Sequence, residues 1–217
     1  MKRVSKEQLR LYLVTDSTNL SEEIFLDKVE KAIQGGVTFL QIREKEKSTL
    51  EYIELAKKVH EICLRYDVPM VVDDRVDVAM AVDAEGVHVG QSDMPVDIAR
   101  KLLGDKKIIG ATAKTVEQAK KAEEMGADYL GVGAIYPTTT KVKTVLTSVD
   151  TLKDICESVD ICANAIGGLN DGNMDVLRGV PIAGICVVSA IMKADDSEEA
   201  ARKLVAKMDE LGIGTDV

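Results

Sequence analysis

Short apolar runs rich in valine and isoleucine alternate with longer amphipathic runs along the whole chain. Short apolar runs bounded by turn residues read as buried strands, and runs with a period near 3.6 read as helices. Eight strands are predicted, over residues 11–15, 37–42, 68–72, 86–89, 107–111, 128–132, 161–166 and 182–188. Helices are predicted over 22–34, stopped by Gly35-Gly36, then over 48–66 and 75–82. Further helices follow from Pro95, from Thr115 to near Gly126, from about Ser148, near 170–178 and over 197–211. The clearest signal is at 48–66, where Ser48 and Glu51 form a capping box and Ile53, Ala56, Val59, Ile62, Cys63 and Tyr66 share one face.

Eight strand–helix units of about 27 residues predict an α/β fold, a (β/α)8 TIM barrel forming a single domain over 1–217. An open doubly wound sheet has the same alternation but usually fewer strands. Gly36-Val37, Gly86-Val87, Gly126-Ala127 and Gly179-Val180 each lead a strand, and no linker-like stretch breaks the series.

Composition narrows the function. Lys and Arg number 28 against 37 Asp and Glu, a net charge of −9, which argues against nucleic-acid or anionic-membrane binding. The longest apolar stretches fall short of the ~20 residues of a bilayer crossing, and no signal-like region follows Met1. Cys63, Cys156, Cys162 and Cys186 form no C-x-x-C pair and lie in apolar runs, which predicts buried thiols in a reducing, cytoplasmic setting.

In such a barrel the chemistry sits at the C-terminal ends of the strands. Arg43, Lys45 and Lys141 place cations at one rim, suited to phosphate or diphosphate. Asp74 and Asp93 come from adjacent strand ends, close enough to share a hard cation such as Mg²⁺. Gly167-Gly168 after strand seven, with Ser189 opening a short helix after strand eight, matches the recurrent phosphate position of barrels. Each cluster has a plainer reading: Arg43 and Lys45 alternate with Glu44 and Glu46, Asp73 to Asp77 fits a helix cap, and 138–140 is a threonine loop. Convergence on one end of one barrel favours the ligand reading. His60 and His88 read as structural, and two histidines with no cysteine pattern argue against zinc.

Seven segments, QIREK (41–45), DDR (73–75), GVHVGQSD (86–93), IIGAT (108–112), GADYLGVGAIYPTTTK (126–141), AIGGL (165–169) and VVSAI (187–191), stand in the order found in one family. On these the chain resembles the thiamine phosphate synthases, also called thiamin-phosphate pyrophosphorylases. The resemblance implies a transferase that joins a hydroxymethylpyrimidine diphosphate to a thiazole phosphate and releases diphosphate. It implies that Gln41, Arg43 and Lys45 hold the pyrimidine diphosphate, with Lys141 reaching its phosphates and Asp74 and Asp93 holding Mg²⁺. Thr138, Thr140, Gly168, Val188 and Ser189 would bind the thiazole phosphate. Glu44, Asp73, Thr112 and Thr139 complete the implied substrate-binding set, and a homodimer is the implied assembly. The chain departs from the family in having Asp73 where Asn is usual and Thr112 where Ser is usual, and VKTVLTSVD lacks the expected Gly- or Pro-containing stretch. Two other readings stand beside it: a thiazole tautomerase on the same barrel, which needs no metal, and a catalytically silent phosphate-binding barrel.

Overall fold

The computed structural model describes residues 4–137 and 145–214. Eight parallel strands close on themselves: β1 (Leu11–Val14), β2 (Phe39–Ile42), β3 (Met70–Asp73), β4 (Gly86–Val89), β5 (Ile108–Ala113), β6 (Tyr129–Gly133), β7 (Cys162–Ile166) and β8 (Gly184–Val187). The order is sequential, and β1 pairs with β8 at Leu13↔Val187 to complete the ring. The helices between them are α1 (Glu22–Gln34), α2 (Thr49–Arg65), α3 (Val76–Ala81), α4 (Val96–Leu103), α5 (Val116–Glu124), α6 (Val149–Ser158), α7 (Ser189–Met192) and α8 (Ser197–Leu211).

Strand side chains alternate between two apolar layers, as a period of two requires. Leu11, Leu13, Leu40, Ile42, Val72, Val87 and Ile109 face the helices, whereas Tyr12, Val14, Phe39, Val71 and Tyr129 fill the barrel. This is why the strands read as continuous apolar runs: both faces are covered. The rings of Tyr12, Phe39 and Tyr129 meet edge to face with centroids 4.8, 5.5 and 5.8 Å apart. Beneath them Val4 and Leu9 pack into the same interior cluster, and the Leu9 carbonyl accepts from Asn164 Nδ2 at 2.6 Å.

Helix signals written in the sequence appear as local bonds. Ser48 and Glu51 exchange both capping-box bonds at α2, and Ser21, Thr115, Ser148 and Asp196 each cap their helix with a side-chain acceptor.

Three expectations need correction. The helix expected near 170–178 is a single 3₁₀ turn, Met174–Leu177. Asn170 Oδ1 accepts from Gly172 N and Asn173 Oδ1 accepts from Asn170 N, both at 2.9 Å, so side chains take bonds that a helix would need. Pro95 stands at the N-cap of α4 rather than inside its first turn. Strand β5 runs on to Ala113, which carries the next residue, Lys114, to the mouth of the barrel.

All four cysteines are free, with Cys156 half-buried and the other three buried. Among the described residues no helix is long and apolar enough to cross a membrane.

Candidate active site

The C-terminal ends of the strands surround a cavity of about 1030 Å³, counting its opening to solvent. Gln41, Arg43, Asp73, Thr112, Gly168, Val188 and Ser189 line it, whereas Glu44, Lys45, Asp74 and Asp93 are not among its lining residues. Inward-facing positions at successive strand ends supply most of these groups, so the pleat itself aims them at one space.

One rim is electrostatic. Lys45 Nζ lies 2.5 Å from Asp73 Oδ2 and also bonds Asp74, while Arg43 Nε lies 3.8 Å from Asp73 Oδ2. Burial alone would lower the Lys45 ammonium, but its two carboxylate partners outweigh that and raise it. Burial pushes the Asp73 carboxyl up, and Asp74 adds to the rise, against the opposing pull of Lys45 and Arg43. The exposed loop with pairs among Arg43, Glu44, Lys45 and Glu46 is therefore not what forms: Lys45 reaches across to β3. Glu44 turns instead toward the β1 loop, where Ser17 Oγ donates to it at 2.9 Å, and burial raises its carboxyl.

The turn after β3 brings the second aspartate into place. Asp74 has φ of 59°, a left-handed conformation that aspartate tolerates better than most residues. Its N–H donates to the His88 carbonyl at 2.8 Å, and the Arg75 N–H donates to the Asp73 carbonyl at 2.6 Å. After β4, the Gly90 N–H donates to Asp93 Oδ2 at 2.8 Å. Burial raises the Asp93 carboxyl, and the nearby Asp74 carboxylate adds to the rise. Two crowded carboxylates of oxygen donors suit a hard divalent cation such as Mg²⁺, which usually keeps waters and substrate phosphates in its shell. Among the described residues no group of three or more His, Cys, Asp or Glu side chains is placed to hold a metal ion.

A second rim, at the ends of β7 and β8, is built from backbone. Gly167 and Gly168 have φ of 106° and 65°, and a Cβ on Gly168 would fall 2.7 Å from that of Tyr136. The turn is held by Asn173 Nδ2 donating to the Gly168 carbonyl at 2.8 Å and by Tyr136 N donating to that of Gly167 at 3.0 Å. Val188 and Ser189 lead directly into α7 beside it. Thr138, Thr139, Thr140 and Lys141 lie outside the described residues.

Tyr12, His88 and Lys114 also line the cavity; the sequence reading makes His88 structural and does not place Tyr12 or Lys114 at the site. His88 had a signal, since position 88 faces inward on β4 in register with Asp73. Lys114 was missed because β5 was expected to end two residues early.

The comparisons place these features in one family. The family model for thiamine monophosphate synthase matches residues 11–191. The chain is 51% identical over 205 residues to thiamine-phosphate synthase 2 of Streptococcus pneumoniae, covering 94% of this chain and 98% of that protein. It is 47% identical to thiamine-phosphate synthase of Methanobrevibacter smithii over 197 residues, covering 91% and 94%. Among solved structures it is similar to thiamine phosphate pyrophosphorylase from Pyrococcus furiosus, with a TM-score of 0.87 at 38% identity, covering 95% and 98%. The chain belongs to the thiamine monophosphate synthase family and is an enzyme of the transferase class.

Proposed function

We propose that the chain joins 4-amino-2-methyl-5-(diphosphooxymethyl)pyrimidine to 4-methyl-5-(2-phosphooxyethyl)thiazole, giving thiamine phosphate and diphosphate. The observation that carries this reading is that one cavity is lined by Arg43 and by Asp73, itself paired with Lys45, at the ends of β2 and β3, and by a glycine turn with Ser189 at the ends of β7 and β8. One diphosphate ligand and one singly phosphorylated ligand fit such a division.

On this reading Arg43 and Lys45 exchange their contacts with Asp73 and Asp74 for the diphosphate, whose oxygens accept their N–H bonds. Gln41 and Thr112 hold the pyrimidine ring. The turn at 167–168 and the start of α7 hold the thiazole phosphate through backbone N–H groups. Asp74 and Asp93 would hold Mg²⁺, which when bound supplies positive charge against the diphosphate oxygens. Thr138, Thr140 and Lys141 are assigned to the phosphates by resemblance alone.

The reaction breaks the C–O bond between methylene and diphosphate, and the bonding electrons leave with the diphosphate. Arg43 and Lys45 stand where that negative charge grows, and oppositely charged groups fixed in advance stabilise it at no cost of reorganisation. The electron-rich aminopyrimidine stabilises the methylene cation. The thiazole nitrogen, held about 3–3.5 Å away, then forms the C–N bond. No proton need leave either reacting atom, so no general base is required.

The test is a discontinuous assay of the purified chain with both substrates and Mg²⁺, watching for thiamine phosphate and diphosphate. Product that disappears with EDTA and returns with Mg²⁺ supports both the reaction and the metal. Both ligands binding with no product would favour a silent binding barrel, and metal-independent turnover of thiazole phosphate alone would favour a tautomerase.

A further inference from the structure

A single file of hydrogen bonds crosses the barrel just beneath the cavity. Gln41 Nε2 donates to the Tyr12 hydroxyl at 2.6 Å, and the hydroxyls of Tyr12 and Tyr129 are 2.8 Å apart. The Tyr129 hydroxyl lies 3.1 Å from His88 Nδ1, and His88 Nε2 lies 3.0 Å from Thr112 Oγ1. Both ends of the file, Gln41 and Thr112, line the cavity. The middle rings are buried, with Tyr12 1%, Tyr129 0% and His88 8% exposed.

We propose that this file is a polarity relay: it fixes Thr112 as a hydrogen-bond donor into the cavity and so selects a heteroaromatic ring whose nitrogen offers a free lone pair. The argument is a count of protons. An amide nitrogen can only donate, and each hydroxyl has one proton to give. Tyr12, having accepted from Gln41, gives its proton to Tyr129, and Tyr129 gives its own to His88 Nδ1. A neutral imidazole that accepts at Nδ1 carries its proton on Nε2, which then donates to Thr112 Oγ1. The Thr112 hydroxyl, with that lone pair used, directs its proton to the open side. The direction set at Gln41 thus reaches a residue on the far side of the barrel.

The strands leave room for this file and nothing larger. A Cβ on Gly110 would fall 2.2 Å from Tyr129 Cζ and 2.5 Å from His88 Nδ1, and one on Gly131 would fall 3.2 Å from His88 Cε1. Tyr12, Tyr129 and His88 are therefore positioning residues, acting through Gln41 and Thr112. The inference rests on the proposed reaction only in taking the selected ring to be the aminopyrimidine; the direction of the bonds does not depend on it.

The experiment is ¹⁵N NMR of the full chain labelled at histidine, which has only two histidines, with His60→Gln to assign the His88 signals. The expected result is a proton on Nε2 and a bare Nδ1 at His88. A proton on Nδ1 reverses the file and overturns the relay. The second arm is steady-state kinetics of Tyr129→Phe, which removes the donor to Nδ1 and lets Thr112 turn its proton toward His88. KM for the pyrimidine diphosphate should rise about tenfold, the loss of roughly one hydrogen bond, with KM for the thiazole phosphate within about twofold of the original. Equal rises in both would assign the ring a merely structural role and overturn the relay. Should that variant fail to fold, the wild-type histidine spectrum still decides the direction of the file. Wild-type protein that makes no thiamine phosphate, yet holds the Nε2 proton, would sink the reaction and leave the relay standing.

Discussion

The Asp74 carboxylate acts on Asp93 across the ends of β3 and β4, adding to burial in raising the Asp93 carboxyl. Two carboxylates close together resist ionising at once, because each disfavours the other's charge. A divalent cation removes that repulsion and takes the proton's place. Asp93→Asn should therefore leave the metal-free fold at least as stable as before, since Asn Oδ1 can still accept from Gly90 N–H. On the proposed metal site, Mg²⁺ should raise the melting temperature of the wild type by binding the folded state, and the same change should abolish that rise. Calorimetry with and without MgCl₂ measures both, and an undiminished Mg²⁺ shift in the variant would remove Asp93 from the metal site.

Asp73 occupies Lys45 and Arg43, the two cations that the proposed diphosphate would need. Asp73→Asn removes a negative charge 2.5 Å from Lys45 and leaves a neutral side chain of the same shape. The expected outcome is a KM for the pyrimidine diphosphate unchanged or lowered severalfold, with kcat retained. A severe loss of kcat in steady-state assays would make Asp73 itself a group that touches the substrate or metal.

Glu44 gives a pH signature. Burial raises its carboxyl above the ordinary value of 4.5, so the folded chain binds this proton more tightly than the unfolded chain does. Its contribution favours folding most at low pH and declines as pH rises through the range above 4.5. Glu44→Gln keeps an acceptor for Ser17 Oγ and carries no charge. The variant should gain stability over the wild type at pH 7 and lose that advantage toward pH 4, as urea melts at the two pH values would reveal.

Gly110 is needed for space. A methyl there would overlap the ring of Tyr129 and the imidazole of His88, both confined by the barrel wall. Gly110→Ala should cost about 2–3 kcal/mol or more in chemical denaturation, since an overfilled interior forces its neighbours off their rotamers. A loss under about 0.5 kcal/mol would mean the barrel relaxes more easily than its packing indicates.

Much of this was legible in the residues. Strand–helix alternation carried the barrel because parallel strands buried on both faces read as apolar runs, and Glu22–Gln34 and Ser197–Leu211 matched their expected bounds. Arg43, Asp73, Thr112 and Ser189 could be placed at the cavity because strand ends fix them there. The 3₁₀ turn at Met174–Leu177 was misread because asparagine side chains, which a hydrophobic pattern does not register, capture the backbone first. The partners of Lys45 were also beyond reach: Asp73 and Asp74 are neighbours only through the pairing of β2 with β3. His88 was taken as structural because no short-range pattern links it to Tyr129, 41 residues away.

The ring cluster of Tyr12, Phe39 and Tyr129, with Val4 and Leu9 below, makes the barrel a blind well. Whatever enters at the rim must return by the same opening. A second ligand lying over the first would hold it captive, and release of the deeper product would wait on departure of the shallower one.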